Sequence, residues 1–151
     1  MGQFAVNLDA LTEASGTQGA LASARLAMSD FLVSPSSETA WQLDPGEFAR
    51  RLQERWPAAQ VREAAPDSLA ALSFSLPIGG NHSPHGDLMR DGQVVGLEGG
   101  LAESAEVASW VREVVAAEQK LIFPDQGYSF SVPLTEGITR DEIVAAVEAA
   151  A

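Results

Sequence analysis

Residues 88–95 read Leu-Met-Arg-Asp-Gly-Gln-Val-Val, and this stretch decides the fold class. The pair Asp91-Gly92 lies between 88–90 and 93–95, two short runs that are mostly apolar. An Asp-Gly pair readily adopts the positive φ angles that a tight type I′ turn needs. The stretch therefore predicts a β-hairpin, and with it an antiparallel sheet.

Strand signals continue on both sides of this hairpin. Upstream, residues 72–76 alternate apolar side chains with serine, which is the period of a half-buried strand. Downstream, residues 120–123 predict a strand and 124–127 a turn. Residues 128–132 alternate again, with aromatic or valine side chains separated by serine. These segments predict a second hairpin towards the end of the chain.

Three helices are predicted between and after the strands. The first begins at Asp44, an N-cap followed by Pro45 at the first helical position. The longest covers residues 101–118. The last begins at Thr139, which forms a capping box with Glu142.

The longest predicted helix has one apolar stripe with charged residues beside it. The stripe is Val107, Trp110, Val111, Val114 and Val115. The charged residues that lie off the stripe are Glu103, Glu106, Arg112 and Glu113.

The order of elements predicts an α+β protein with a single domain. Sequential hairpins favour an antiparallel sheet, and the helices would cover one face of it. We predict this domain over residues 34–151. Residues 1–33 contain only weak helical stretches and a short strand signal at 30–33, so we interpret them as an N-terminal extension or docking arm.

Charge and cysteine content limit the classes of partner and chemistry. Twenty-one acidic residues face nine basic ones, a net charge of −12, which disfavours nucleic acid and anionic membranes and favours a basic protein partner. The chain has no cysteine, which excludes disulfides and thiolate sites. With no basic residue before Arg25 and no apolar run long enough for a bilayer, we expect a cytoplasmic protein that does not contact membranes.

The segment Asn81–Asp87 holds the most concentrated set of reactive groups. It contains both histidines, His82 and His85, which together with Asp87 offer suitable ligands for a divalent cation. Pro84 separates the histidines, so they do not share a helix face as in a zinc-protease motif. We favour a polar surface loop here, with no metal ion and no cofactor.

Trp41 is the other candidate binding residue. It follows a polar linker, whereas the other two tryptophans lie on apolar helix faces, so we predict an exposed anchor for a partner. None of the strand serines lies in the Gly-x-Ser-x-Gly pattern of a nucleophile. We therefore predict binding residues, Trp41, His82, His85 and Asp87, and no catalytic residue.

The last third of the chain resembles a known group of proteins. The stretches 108–112, 118–123 and 127–134, with the core Gly-Tyr-Ser-Phe-Ser-Val-Pro-Leu in the last, are similar to uncharacterised small actinobacterial proteins. Some of those resemble immunity proteins of polymorphic toxin systems. The resemblance implies an acidic α+β inhibitor that stands alone, and it carries no catalytic residue.

Three functional hypotheses follow. The first is a non-enzymatic protein-binding domain, in the form of an immunity-type inhibitor of a basic toxin. The second is a small enzyme or metal-binding protein centred on the Asn81–Asp87 segment. The third is a structural subunit of a larger assembly, docked through residues 1–33. The sequence leaves the oligomeric state open.

Overall fold

The structure is a computed structural model that describes residues 30–37, 41–78 and 83–150. Within those ranges the chain forms seven strands and three helices. The strands are β1 (Phe31–Pro35), β2 (Gln60–Glu63), β3 (Ala70–Ser75), β4 (His85–Met89), β5 (Val95–Glu98), β6 (Leu121–Pro124) and β7 (Ser131–Leu134). The helices are α1 (Pro45–Arg55), α2 (Leu101–Val114) and α3 (Arg140–Ala150).

All seven strands form one antiparallel sheet in the order β2-β3-β4-β5-β1-β6-β7. Four of them, β2 to β5, follow one another as a meander. The sheet, together with the helices, confirms the predicted α+β class.

The three helices pack on one face of the sheet. Leu72 pairs with Leu88, Leu88 with Val95, and Val95 with Val33, so these side chains form one row across four strands. The row belongs to the same buried cluster as the apolar helix residues. On the helices, the buried apolar residues of that cluster are Phe48, Leu52, Ala105, Val107, Ala108, Trp110, Val111, Ile143 and Val147.

Strand β1 changes the predicted domain boundary. Phe31 pairs with Leu97 of β5, and Ser34 pairs with Ile122 of β6, so β1 lies inside the sheet. A boundary after residue 33 therefore divides a strand whose two neighbours both hydrogen-bond to it. The remainder of the predicted extension, residues 1–29, lies outside the described residues.

The hairpin of β4 and β5 forms, but its turn is not of type I′. Met89 N–H donates to the Val94 carbonyl, which leaves four residues in the loop. Gly92 has φ 74°, but Asp91 does not have a positive φ, although type I′ needs one at both central positions. Instead, the Asp91 carboxylate accepts from Gln93 N–H at 2.9 Å, which stabilises the wider loop.

Helix α2 ends at Val114, four residues earlier than predicted, and Arg112 contacts the residues that follow its end. Although it lies off the apolar stripe, Arg112 is only 4% exposed. The guanidinium donates to the carbonyls of Val115 and Ala116, just past the helix end, at 3.1 and 2.5 Å. It also reaches Gln119 O at 2.7 Å and Leu134 O of β7 at 3.2 Å. The arginine thus closes the helix and joins it to the sheet.

The second hairpin joins β6 and β7, as predicted, but β7 is shorter. Phe123 pairs with Val132, and both side chains are buried. The alternation from Tyr128 does not begin a strand, because Tyr128 has φ 57° and lies in the connecting loop. The strand begins only at Ser131.

Helix α3 begins with a complete capping box. Glu142 N–H donates to Thr139 Oγ1 at 3.2 Å, and Thr139 N–H donates to the Glu142 carboxylate at 2.9 Å. This confirms the predicted start of the helix. At α1, Asp44 likewise accepts from Glu47 N–H, while the Glu47 carboxylate pairs with Arg50 instead of completing a box.

We expect Thr139→Ala to lower the free energy of unfolding by about 1 kcal/mol, because the Glu142 amide loses its acceptor. Urea denaturation followed by circular dichroism measures the difference. Thr135→Ala is the control, since Thr135 is also exposed and precedes the same helix without capping it. Equal midpoints for the two variants would contradict the assigned cap.

Candidate functional site

The candidate site lies on the face of the sheet opposite the described helices. Ser73 and Ser75 of β3 pair with Asp87 and His85 of β4, and His85 pairs in turn with Glu98 of β5. Side chains directly opposite on neighbouring strands project to the same face. The strand register therefore assembles one polar patch from three strands, and we call these five residues the polar patch.

The structure corrects the loop predicted around the histidines. His85, Gly86 and Asp87 lie in β4, and of the segment's described residues Ser83 and Pro84 are irregular. Gly86 faces the helix side, where an added Cβ would come within 2.3 Å of the Phe74 ring. The strand forms because its backbone pairs with both β3 and β5.

Within the polar patch, one contact is strong. Ser73 Oγ donates to Asp87 Oδ1 at 2.5 Å, a charge-assisted hydrogen bond. This bond holds the serine hydroxyl against a carboxylate, not against an imidazole that could accept its proton. His85 is exposed, and among the described residues no hydrogen bond joins it to Ser75 or Glu98.

The predicted binding residues do not form one site. His85 and Asp87 lie together in the polar patch, whereas His82 lies outside the described residues. Trp41 packs against the apolar cluster and is only partly exposed. Its carbonyl accepts from Gln93 Nε2 at 2.8 Å, which places it by the β4–β5 turn. His85 begins β4, so Trp41 and His85 lie near opposite ends of that strand.

In the part of the chain that the structure describes, no group of three or more histidine, aspartate or glutamate side chains is close enough to hold a metal ion. The polar patch brings His85 and Asp87 onto one face, and the described residues supply no third ligand in range.

A polar cleft of about 350 Å³ opens between the end of α1, the middle of α2 and the start of α3. Two arginines line it, and both reach one carboxylate: Arg55 lies 3.3 Å and Arg140 3.7 Å from Glu106. Arg140 also contacts Asp141 at 3.2 Å. Both guanidinium groups are thus already paired with carboxylates, so the cleft does not present a free cation to an anionic ligand.

Two arginines, Arg90 and Arg112, donate hydrogen bonds to the backbone. Arg90 donates to the backbone carbonyls of Ala65, Ser68 and Ala70 at 2.8 to 3.0 Å, and so holds the β2–β3 connection. Arg112 likewise donates to backbone carbonyls only. Neither arginine forms an ion pair with a carboxylate in the described residues. Arg90 and Arg112 therefore stabilise the fold through hydrogen bonds to the backbone.

Burial also alters Arg112 itself. Loss of solvent lowers the pKa of its guanidinium, and the carboxylates of Glu136 and Glu118 offset part of that effect. The sequence contained one usable signal for this residue. Arg112 lies in the last turn of α2, where a cation can satisfy open carbonyls. No residue near Arg112 in the sequence indicates its contact with Leu134 of β7.

No helix in the described part of the chain combines the length and the apolar character that crossing a membrane requires.

Comparison with known proteins gives no relative for this arrangement. No protein-family model matches the chain, and neither does any curated protein or solved structure.

Proposed function

We propose that this chain is a non-enzymatic protein-binding domain that captures a basic protein, in the form of an immunity-type inhibitor of a basic toxin. The proposal places it in the cytoplasm, with neither nucleic acid nor membrane as a partner. The observation that carries it is the way the fold distributes its charge.

The chain has twelve more acidic than basic residues, and the burial of Arg112 removes one positive charge from its surface. Arg112 is buried, and Arg90 is held by backbone carbonyls. Arg50, Arg55 and Arg140 are each committed to carboxylates of the chain itself. The remaining carboxylates give a negative potential that speeds the capture of a basic partner.

The alternatives receive less support. For an enzyme centred on residues 81–87, a serine and an imidazole would have to meet, but His85 makes no hydrogen bond to Ser75, its direct partner across the strands, among the described residues. A structural subunit docked through residues 1–33 remains a prediction, because residues 1–29 lie outside the described ranges. What can be said of that segment is that its end, from Phe31 onward, belongs to the sheet.

The test measures association with a panel of purified small basic nucleases by surface plasmon resonance at several salt concentrations. We expect at least one nuclease to bind and lose activity, with an association rate that falls as salt rises. A short double-stranded DNA is the negative control, and we expect it not to bind the chain.

Two single exchanges on the exposed sheet face test the electrostatic cause. Glu98→Lys and Arg62→Glu each change the net charge of −12 by two units, in opposite directions. We expect Glu98→Lys to slow association and Arg62→Glu to speed it, each by roughly two- to fivefold at low salt. If no nuclease in the panel binds, or if the rates respond neither to salt nor to these exchanges, the proposal fails.

A further inference from the structure

Two large apolar side chains are exposed among the described residues, Leu69 at 52% and Tyr128 at 59%. Tyr128 differs from Leu69 in its backbone. It has φ 57°, and no other non-glycine residue in the described ranges has a positive φ. A bulky residue rarely adopts this left-handed conformation, which glycine or asparagine tolerates better.

The loop that carries Tyr128 is held by local hydrogen bonds. Tyr128 N–H donates to the Asp125 carbonyl at 3.0 Å. The Asp125 carboxylate accepts from Ser129 N–H at 2.7 Å and also from the Ser129 hydroxyl. Burial alone would raise the pKa of Asp125, but these hydrogen bonds outweigh burial and lower its pKa, so the group is a carboxylate at neutral pH.

Both ends of the loop are fixed to the sheet. Gln126 N–H donates to the Asp30 carbonyl at 3.1 Å, next to β1. On the other side, the Phe130 ring packs 6.3 Å from Phe31 and 6.4 Å from Phe123, between ring centroids. Tyr128 is therefore presented to solvent by a loop with a defined conformation. A side chain already held in its binding position loses little entropy on association.

We propose that Tyr128 is a preformed contact residue that stacks against an arginine of the basic partner. The inference rests on the proposed function. Tyrosine is enriched among residues that dominate binding energies, and its ring face attracts a guanidinium. The negative surface of the chain selects a cationic group, and arginine stacks on aromatic rings better than lysine does.

The probe is a fluorescently labelled deca-arginine peptide, and fluorescence anisotropy at low salt gives its affinity. We expect Tyr128→Asn and Tyr128→Leu to weaken binding about two- to fivefold, the range of a cation–π contact at an exposed site. Tyr128→Phe keeps the ring and should bind like wild type. Leu69→Ala is the control for loss of an exposed apolar side chain and should also bind like wild type.

Thermal unfolding separates contact from fold. Asparagine tolerates the left-handed conformation, so the melting temperature of Tyr128→Asn should not fall below that of wild type. Unchanged affinity in Tyr128→Asn and Tyr128→Leu, while wild type binds the peptide, overturns the role of Tyr128 and leaves the proposed function standing. If wild type itself does not bind the peptide at low salt, the proposed function loses its electrostatic basis.

Discussion

Replacing Arg112 with methionine is expected to lower the free energy of unfolding by at least about 3 kcal/mol. Methionine can occupy the space of the aliphatic stem, but it donates no hydrogen bond. The carbonyls of Val115 and Ala116 at the helix end, and of Gln119 and Leu134 beyond it, would lose their shared donor. Urea denaturation gives the difference in stability.

Arg112→Lys and Arg62→Met are the matched controls. Lysine keeps the charge, but its single ammonium group cannot reach the same set of carbonyls, so an intermediate loss is expected. Arg62 is exposed on β2, and its replacement should change stability by less than about 0.5 kcal/mol. A denaturation midpoint for Arg112→Met equal to that of wild type would show that the buried guanidinium does not hold α2 to β7.

The second large effect concerns Trp110, the centre of the contact between α1 and α2. Its ring lies edge-on to Phe48 at 5.2 Å and to Trp56 at 5.6 Å, and Phe48 continues to Phe74 of β3 at 5.8 Å. The side chain is 6% exposed. Trp110→Ala should therefore cost about 3–5 kcal/mol, since it opens a cavity beside the rings of Phe48 and Trp56.

The measurement for Trp110→Ala is again the free energy of unfolding in urea. Leu69→Ala is a suitable comparison, because Leu69 is 52% exposed and its truncation opens no cavity. Its midpoint should stay near that of wild type. A Trp110→Ala midpoint as high as that of Leu69→Ala would contradict the assignment of Trp110 to the core.

Local signals in the sequence were sufficient for the caps and for the order of elements. The Thr139–Glu142 box depends on residues three apart, and the structure contains both of its hydrogen bonds. The Asp91-Gly92 pair likewise predicted where the chain reverses. The pair did not predict the turn type. The loop length is set by the pairing of Leu88 with Val95, whose side chains are both buried in the core.

Features that depend on distant partners were not predicted. The spacing of α2 placed Arg112 off the apolar stripe, and its burial depends on carbonyls beyond the helix, among them that of Leu134, 22 residues later. His85 was assigned to a loop because turn-forming residues precede it, but pairing with Ser75 and Glu98 makes it a strand residue. For the candidate site, the residue types could be read from the sequence, whereas their placement depended on the register of three strands.

The position of β1 has a consequence for how the chain folds in time. The meander β2–β5 and the β6–β7 hairpin can each form from neighbouring segments, but β5 and β6 meet only through β1. Phe31 pairs with Leu97 and Ser34 pairs with Ile122, and both partners lie far along the chain. Strand β1 is the first described strand to be synthesised, but it can pair on both sides only after β6 has been synthesised. Such long-range closure slows folding and leaves unpaired strand edges exposed until it occurs. We expect insertion of β1 to be the late step that joins two early-formed halves.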